Sequence, residues 1–234
     1  MPNIIYQISG TGLYLLSTLT FKTCRLQISG LENFEEALEK DKPFIITSWH
    51  GMTMMAAAFL RTKHDMRSFV GLIPDDWRGK SLEVFANHLQ AEPFPMNLDG
   101  DSSLKMGREL IRFIRKISGG KNLVLHPDGP AGPAYVIKPG LSFIAKKTGA
   151  TIIPLGAYCR HAYRVPRWDT YVLPLPFSRI TIHIGKPITI PKETEDLTET
   201  NHHITNILHR VAAQATANYY EQKIQKDSSS KTKS

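Results

Sequence analysis

Cysteine is nearly absent: Cys24 and Cys159 stand far apart and form no CxxC pair. A disulfide framework is thereby excluded, and a reducing compartment is the expected setting. Acidic side chains are also scarce, 21 Asp+Glu against 29 Lys+Arg, for a formal charge of +8. Such a surplus suits nucleic acid, anionic lipid or an acidic carrier protein. No basic block is interleaved with stacking aromatics, so nucleic acid ranks below the other two. No internal repeat is present. With 41% apolar and 21% charged residues, the 234-residue composition is that of one globular domain able to bury a core.

An unbroken apolar run is missing too. Residues 1–21, "MPNIIYQISGTGLYLLSTLTF", carry no charge, but Gln7, Ser9, Gly10, Thr11 and Gly12 interrupt them. A spanning helix needs ~20 mostly apolar residues, and a cleavable signal peptide normally has a basic leading region. Neither pattern is met. With Lys22 and Arg25 following at once, the segment suits an interfacial helix with its basic flank at the headgroups. A terminal helix packed on the domain fits equally.

Further along, apolar runs of strand length at 22–29, 43–48, 67–73, 121–126, 150–159 and 179–185 alternate with helical patterns. The helices are expected at 32–40, 51–62, 78–90, 102–117, 141–149 and 196–224. That alternation argues an α/β fold, a single domain with a largely parallel sheet flanked by helices. The expected organisation is a membrane-interfacial segment at 1–21, a catalytic domain at 22–224 and a disordered tail at 225–234, "KDSSSKTKS" with its preceding residue.

Ligands in such folds gather at the carboxyl ends of strands, where His50 of "PFIITSWHGMTMM" and the loop after His126 both fall. A neutral imidazole there can take a proton from an alcohol as it attacks a carbonyl. A structural histidine beside Trp49 is the plainer alternative. In "HPDGPAGPAYVIKPG" (126–140), the Gly and Pro residues form a stiff turn series. It can bring backbone N–H groups to an anion, with Asp128 to orient an imidazole and Lys138 to meet a phosphate or carboxylate. "HHITNILH" (202–209) sits on a polar helix face without a third cluster, so no metal is expected.

"SWHG", "HPDGPAGPAYVIKPG", "GATIIPLGAY" and "WDTYVLPLPFSRITIHIGKPI" occur in that order. Together, over roughly residues 22–190, they resemble the bacterial uncharacterised-domain branch of the lysophospholipid acyltransferase superfamily, a branch similar to lipid A secondary acyltransferases. The resemblance implies a lysophospholipid acyltransferase-like fold and transfer of a fatty acyl chain to a membrane-lipid hydroxyl. The co-substrate would be an acyl-carrier-protein or coenzyme A thioester, with no other cofactor. The family's catalytic His falls on His50, its Pro-Glu-Gly loop on Pro127, Asp128 and Gly129, and its downstream Lys–x–Gly on Lys138 and Gly140. Its Ile-Pro-hydrophobic strand falls on Ile153, Pro154 and Leu155, and its middle motif near Leu98 and Asp99.

Two departures stand out. The family's Asp five residues after the His is Met55 here, and its phosphate-gripping loop Arg is Ala131. The second favours a lipid A precursor as acceptor; a lysophospholipid acceptor and a non-catalytic lipid-binding protein of the same fold are the alternatives. For the first, Asp128 is expected to supply the missing carboxylate to the His50 ring, with Asp99 next and Asp75 or Asp76 after it. Trp49, Asp99, Gly129, Pro130, Gly132 and Lys138 are the expected substrate-binding residues, with loop N–H groups steadying the oxyanion. His126 is either a second imidazole in the site or a structural strand-end residue. A basic stripe, Lys105, Arg108, Arg112 and Arg115, would meet anionic headgroups or an acidic carrier, or is a solvated face. The aromatic stretch 163–177 is a candidate lipid-facing lip or a rigid loop packed by Trp168. The expected location is the cytoplasmic face of the inner membrane.

Overall fold

A computed structural model describes residues 3–40, 42–63, 65–97 and 104–231. Its strands are β1 (Arg25–Ser29), β2 (Phe44–Thr47), β3 (Phe69–Pro74), β4 (Glu92–Met96), β5 (Asn122–Leu125), β6 (Thr151–Cys159), β7 (Ala162–Arg164), β8 (Val172–Pro174) and β9 (Arg179–Ile184). Seven of them form one sheet in the order β1-β9-β6-β2-β5-β3-β4, while β7 and β8 pair as a separate hairpin. Every neighbouring pair in the large sheet is parallel except β6–β9. The helices are α1 (Ile4–Thr23), α2 (Leu31–Glu39), α3 (Thr53–Lys63), α4 (Trp77–His88), α5 (Leu104–Ser118), α6 (Gly140–Thr148) and α7 (Thr198–Lys231).

β2 is buried along its whole length, which is why "FIIT" reads as a continuous apolar run rather than an alternation. Its neighbours carry one core on each face. Phe34 of α2 and Phe59 of α3 pack with Ile46, Ile153 and Leu155 on one side. Phe113 and Ile117 of α5, Leu141 and Ile144 of α6, and Ile204 and Leu208 of α7 pack with Ile45, Leu123 and Ile152 on the other. Two helix layers therefore sandwich the sheet, in the α/β arrangement that the alternating pattern implies.

Several elements differ from expectation. β4 spells "EPFPM", and its two prolines hide it; it is a sheet edge, the place where a strand tolerates proline. The short β7–β8 hairpin lies inside the aromatic stretch expected as a lip or loop. α7 continues to Lys231 through residues 225–231, where the low apolar content suggested disorder.

α1 is oriented opposite to an ordinary surface helix. Its small and polar side meets α4: Ser9 and Ser81 hydroxyls lie 2.6 Å apart, Thr11 Oγ1 is 2.9 Å from His88 Nε2, and Tyr14 stacks on His88. Ile4, Ile5, Ile8, Leu15, Leu16 and Leu19 are all exposed. A soluble amphipathic helix buries its apolar stripe; this one turns it outward. Among the described residues, no helix is long and apolar enough to cross a membrane.

Candidate active site

The chain leaves β2 at Thr47 and enters a single 3-10 turn at His50–Met52. Thr53 Oγ1 donates to the His50 carbonyl at 2.6 Å, and the His50 backbone N–H donates to Asp128 Oδ1 at 2.9 Å. The other Asp128 oxygen accepts from the Tyr135 N–H at 3.1 Å. Asp128 is buried, so this carboxylate is a staple between the end of β2 and the turns after β5. It is beside His50, but both oxygens face backbone donors.

The expectation that Asp128 orients the imidazole is therefore corrected. The carboxylate on the ring is Asp169, whose Oδ2 lies 2.7 Å from His50 Nδ1. Asp169 comes from residues 165–171, the connection between β7 and β8. Its side chain is fully buried, while that of His50 is 23% exposed. Arg167 donates to the same carboxylate twice, Nε to Oδ1 at 3.1 Å and Nη2 to Oδ2 at 3.0 Å. A paired, charge-assisted Arg fixes the plane of the carboxylate as well as its charge. Because a carboxylate only accepts, the proton between the two groups sits on Nδ1, and Nε2 is left with its lone pair.

Missing side chains let the segment approach. A Cβ on Gly51 would lie 2.3 Å from the Asp169 carbonyl oxygen, and one on Gly132 would lie 2.7 Å from the Trp168 ring. Trp168 in turn covers the His50 ring at 5.3 Å between centroids. Thr170, next to Asp169, is held at φ 45° and Tyr135 at φ 65°. Such backbone, worst for a β-branched residue, costs about 1–3 kcal/mol at each position. Strain of this kind is tolerated where surrounding contacts over-determine it.

The remaining expected residues are placed as follows. Trp49 is buried in the core with the rings of Tyr135 and His209 against it. Gly129 touches the His50 ring: a Cβ there would lie 2.7 Å from Cδ2. Its N–H donates to the His126 carbonyl. Pro130 follows in the same turn, half-buried. The Lys138 N–H closes the loop on the Pro127 carbonyl at 2.9 Å. Asp76 caps α4 through the Arg78 N–H, and Asp75 precedes it at the end of β3. Asp99, like Leu98, lies outside the described residues, as does the side chain of Lys105. Among the described residues, no group of three or more His, Cys, Asp or Glu side chains is placed to hold a metal ion.

His126 does enter the site. Its ring meets that of His50 edge-on at 5.6 Å, and Nδ1 lies 3.0 Å from the Ser48 carbonyl, so Nδ1–H is the donor. Burial, followed by the charge of His50, lowers its pKa from 6.5 to about 4. It stays neutral beside the catalytic candidate at any physiological pH.

Comparison with known proteins bears on the fold. No family model matches the chain. It is 28% identical over 156 residues to Uncharacterized protein RP090 of Rickettsia prowazekii (strain Madrid E), a stretch that spans 67% of this chain and 68% of the other. The crystal structure of PlsC, the 1-acyl-sn-glycerophosphate (LPA) acyltransferase of Thermotoga maritima, superposes with a TM-score of 0.59. The match covers 90% of this chain and 79% of that one at 16% identity. At that identity the likeness establishes the fold: a single α/β domain, mostly parallel, of the PlsC acyltransferase type.

Proposed function

We propose that the protein moves a fatty acyl chain from an acyl thioester, of acyl-carrier protein or coenzyme A, to a hydroxyl of a membrane lipid. The observation that carries this reading is the His50–Asp169 contact at 2.7 Å, which leaves Nε2 as the free base on a fold shared with an acyltransferase. His50 Nε2 takes the acceptor's hydroxyl proton as that oxygen bonds to the thioester carbon. Asp169 stabilises the imidazolium that results. The tetrahedral intermediate then expels sulfur, which takes the proton from Nε2 as the free thiol. Loop N–H groups other than those of Gly129, Tyr135 and Lys138, which are spent on His126, Asp128 and Pro127, are the proposed oxyanion donors.

A non-catalytic lipid-binding protein would not need an orienting acid on its imidazole, so the Asp169 carboxylate on the His50 ring supports the catalytic reading. For the membrane, the outward stripe of α1 is the proposed contact, lying on the bilayer at the cytoplasmic face. Arg108, Arg112 and Arg115 of α5 are exposed and are the proposed contact for anionic headgroups or an acidic carrier.

Ala131, where the resembled family has a phosphate-gripping Arg, favours a lipid A precursor as acceptor. A lysophospholipid acceptor is the second reading: Arg167 is 44% exposed beside the dyad, and the Thermotoga maritima protein is a 1-acyl-sn-glycerophosphate acyltransferase. Incubating the protein with a long-chain acyl thioester and each acceptor, then identifying products by mass spectrometry, tests both. Transfer by wild type and not by His50→Ala is expected, to the lipid A precursor in preference. Thioester consumption that is equal in the two proteins contradicts the proposal.

A further inference from the structure

β9 ends at Ile184, and the residues that follow it form a firmly held wall. The Gly185 N–H donates to the Pro154 carbonyl at 2.9 Å, and Ile188 exchanges two backbone hydrogen bonds of 2.8 Å with Ile152 of β6. α7 is the opposite wall, seated on the sheet at Val211. A Cβ on Gly156 would run into the Val211 carbonyl, and one on Gly185 would lie 2.7 Å from Val211 Cγ1. Between the walls lies a cavity of about 580 Å³, within the ~300–1,000 Å³ of small-ligand sites. It shares no residue with the His50–Asp169 site.

The charge of this cavity is one-sided. Lys186 on one wall and Arg210 on the other line it together with the imidazoles of His183 and His203, and no Asp or Glu does. Arg67, Arg78, Lys116 and Arg167 each pair with a carboxylate; among the described residues, Lys186 and Arg210 do not. Unpaired cations on facing walls attract an anion, and Lys and Arg are the usual phosphate binders. His183 Nδ1 lies 2.9 Å from Ser29 Oγ, so Nε2 is the ring nitrogen left for a ligand. Pro187, Ile188, Ile207 and Val211 supply apolar surface beside the charges. The space exceeds what a bare phosphate fills, so the apolar part calls for an organic body on the anion.

We propose that this cavity binds an organophosphate, its phosphate between Lys186 and Arg210 and its organic part against Ile188 and Ile207. A soluble phosphate ester and a phospholipid headgroup present the same group and are the two sources. The inference stands apart from acyl transfer and holds whether or not His50 acts as a base.

The test titrates the full chain with inorganic phosphate, with adenosine monophosphate, and with vesicles of phosphatidylglycerol or of phosphatidylcholine. Calorimetry and co-sedimentation read affinity, and the imidazole proton resonances of His183 and His203 read location for the soluble probes. Lys186→Gln with Arg210→Gln changes two exposed positions and should fold. Arg108→Gln with Arg112→Gln removes the same charge from α5 as a control. The expected result is adenosine monophosphate bound more tightly than inorganic phosphate, with both histidine resonances shifted. The Lys186 and Arg210 changes should weaken binding about tenfold or more, and the α5 changes should not. Phosphatidylglycerol binding with that same dependence, and none by the soluble probes, keeps the proposal and names the lipid headgroup as the source. No binding of any probe, or equal binding by wild type and the Lys186 and Arg210 variant, would overturn it. A loss just as large in the α5 control would overturn it too, as general attraction to positive charge.

Discussion

Two turn-rich segments reach His50, and each delivers one aspartate. The segment after β5 brings Asp128 to the backbone N–H of His50; the segment between β7 and β8 brings Asp169 to its ring. Both carboxylates are buried and both are within hydrogen-bond reach of the same residue. What separates them is the atom they hold. A carboxylate on the main chain fixes where the residue sits, whereas one on Nδ1 fixes the tautomer and stabilises the charge that appears during proton transfer. Proximity to a candidate catalytic group is thus a poor guide to role, and the remaining partners of each oxygen are a better one.

The comparison is sharpest when the two acids are neutralised separately. Asp169→Asn removes the charge and can offer an N–H to Nδ1, flipping the tautomer; a fall of about 10²–10⁴-fold in kcat is expected, as large as His50→Ala. Asp128→Asn keeps an acceptor for one backbone N–H and sets a donor against the other. It should cost about 1–3 kcal/mol of stability, read as a drop of ~2–4 °C in Tm per kcal/mol, with kcat of the folded enzyme much less affected. Equal kcat losses for the two would erase the distinction.

Smaller effects probe the supports. Arg167→Ala frees the Asp169 carboxylate to rotate and should lower kcat about tenfold, some 1.4 kcal/mol. Arg167→Lys should restore little, because one ammonium cannot copy the two-point contact. Under the lysophospholipid reading, the same change raises KM for the acceptor as well.

The last effect is confined to acid pH. His126 titrates at about 4 in the folded protein against 6.5 ordinarily, so between those values the unfolded chain binds more protons than the folded one. Stability from this residue is therefore complete above pH 6.5 and lost as pH falls toward 4, by on the order of 3 kcal/mol at most. His126→Phe should remove that part of the pH dependence in chemical-denaturation curves, on top of a pH-independent loss of about 1–3 kcal/mol from the Ser48 carbonyl it leaves unpaired.

Much of this architecture is legible in the residues. The buried run "FIIT", the strand-to-turn junction at His50 and the helix stripes place the parallel sheet and its carboxyl-end site. The loop at 126–140 is correctly brought to His50. Asp169 is not legible in the same way, because it lies 119 residues from its partner and no local periodicity marks it. It stands in the "WDTY" that opens one of the four quoted motifs, and Gly51 is a second sign: a glycine directly after a strand-end histidine announces that another backbone passes close, and the Asp169 carbonyl is that backbone. β4 is hidden by Pro93 and Pro95, which are tolerable because, among the described residues, nothing pairs on its outer edge. The reversed α1 is legible in part, since an uncharged segment broken by small residues says that one side packs closely without saying which side faces water.

The most direct measurement is the transfer rate from a long-chain acyl thioester to a lipid hydroxyl by Asp169→Asn and Asp128→Asn, both verified as folded. The expected result is loss of about 10²–10⁴-fold in the first and near-wild-type turnover in the second. Full activity in Asp169→Asn, or a larger loss in Asp128→Asn, would contradict a His50–Asp169 dyad as the chemical centre.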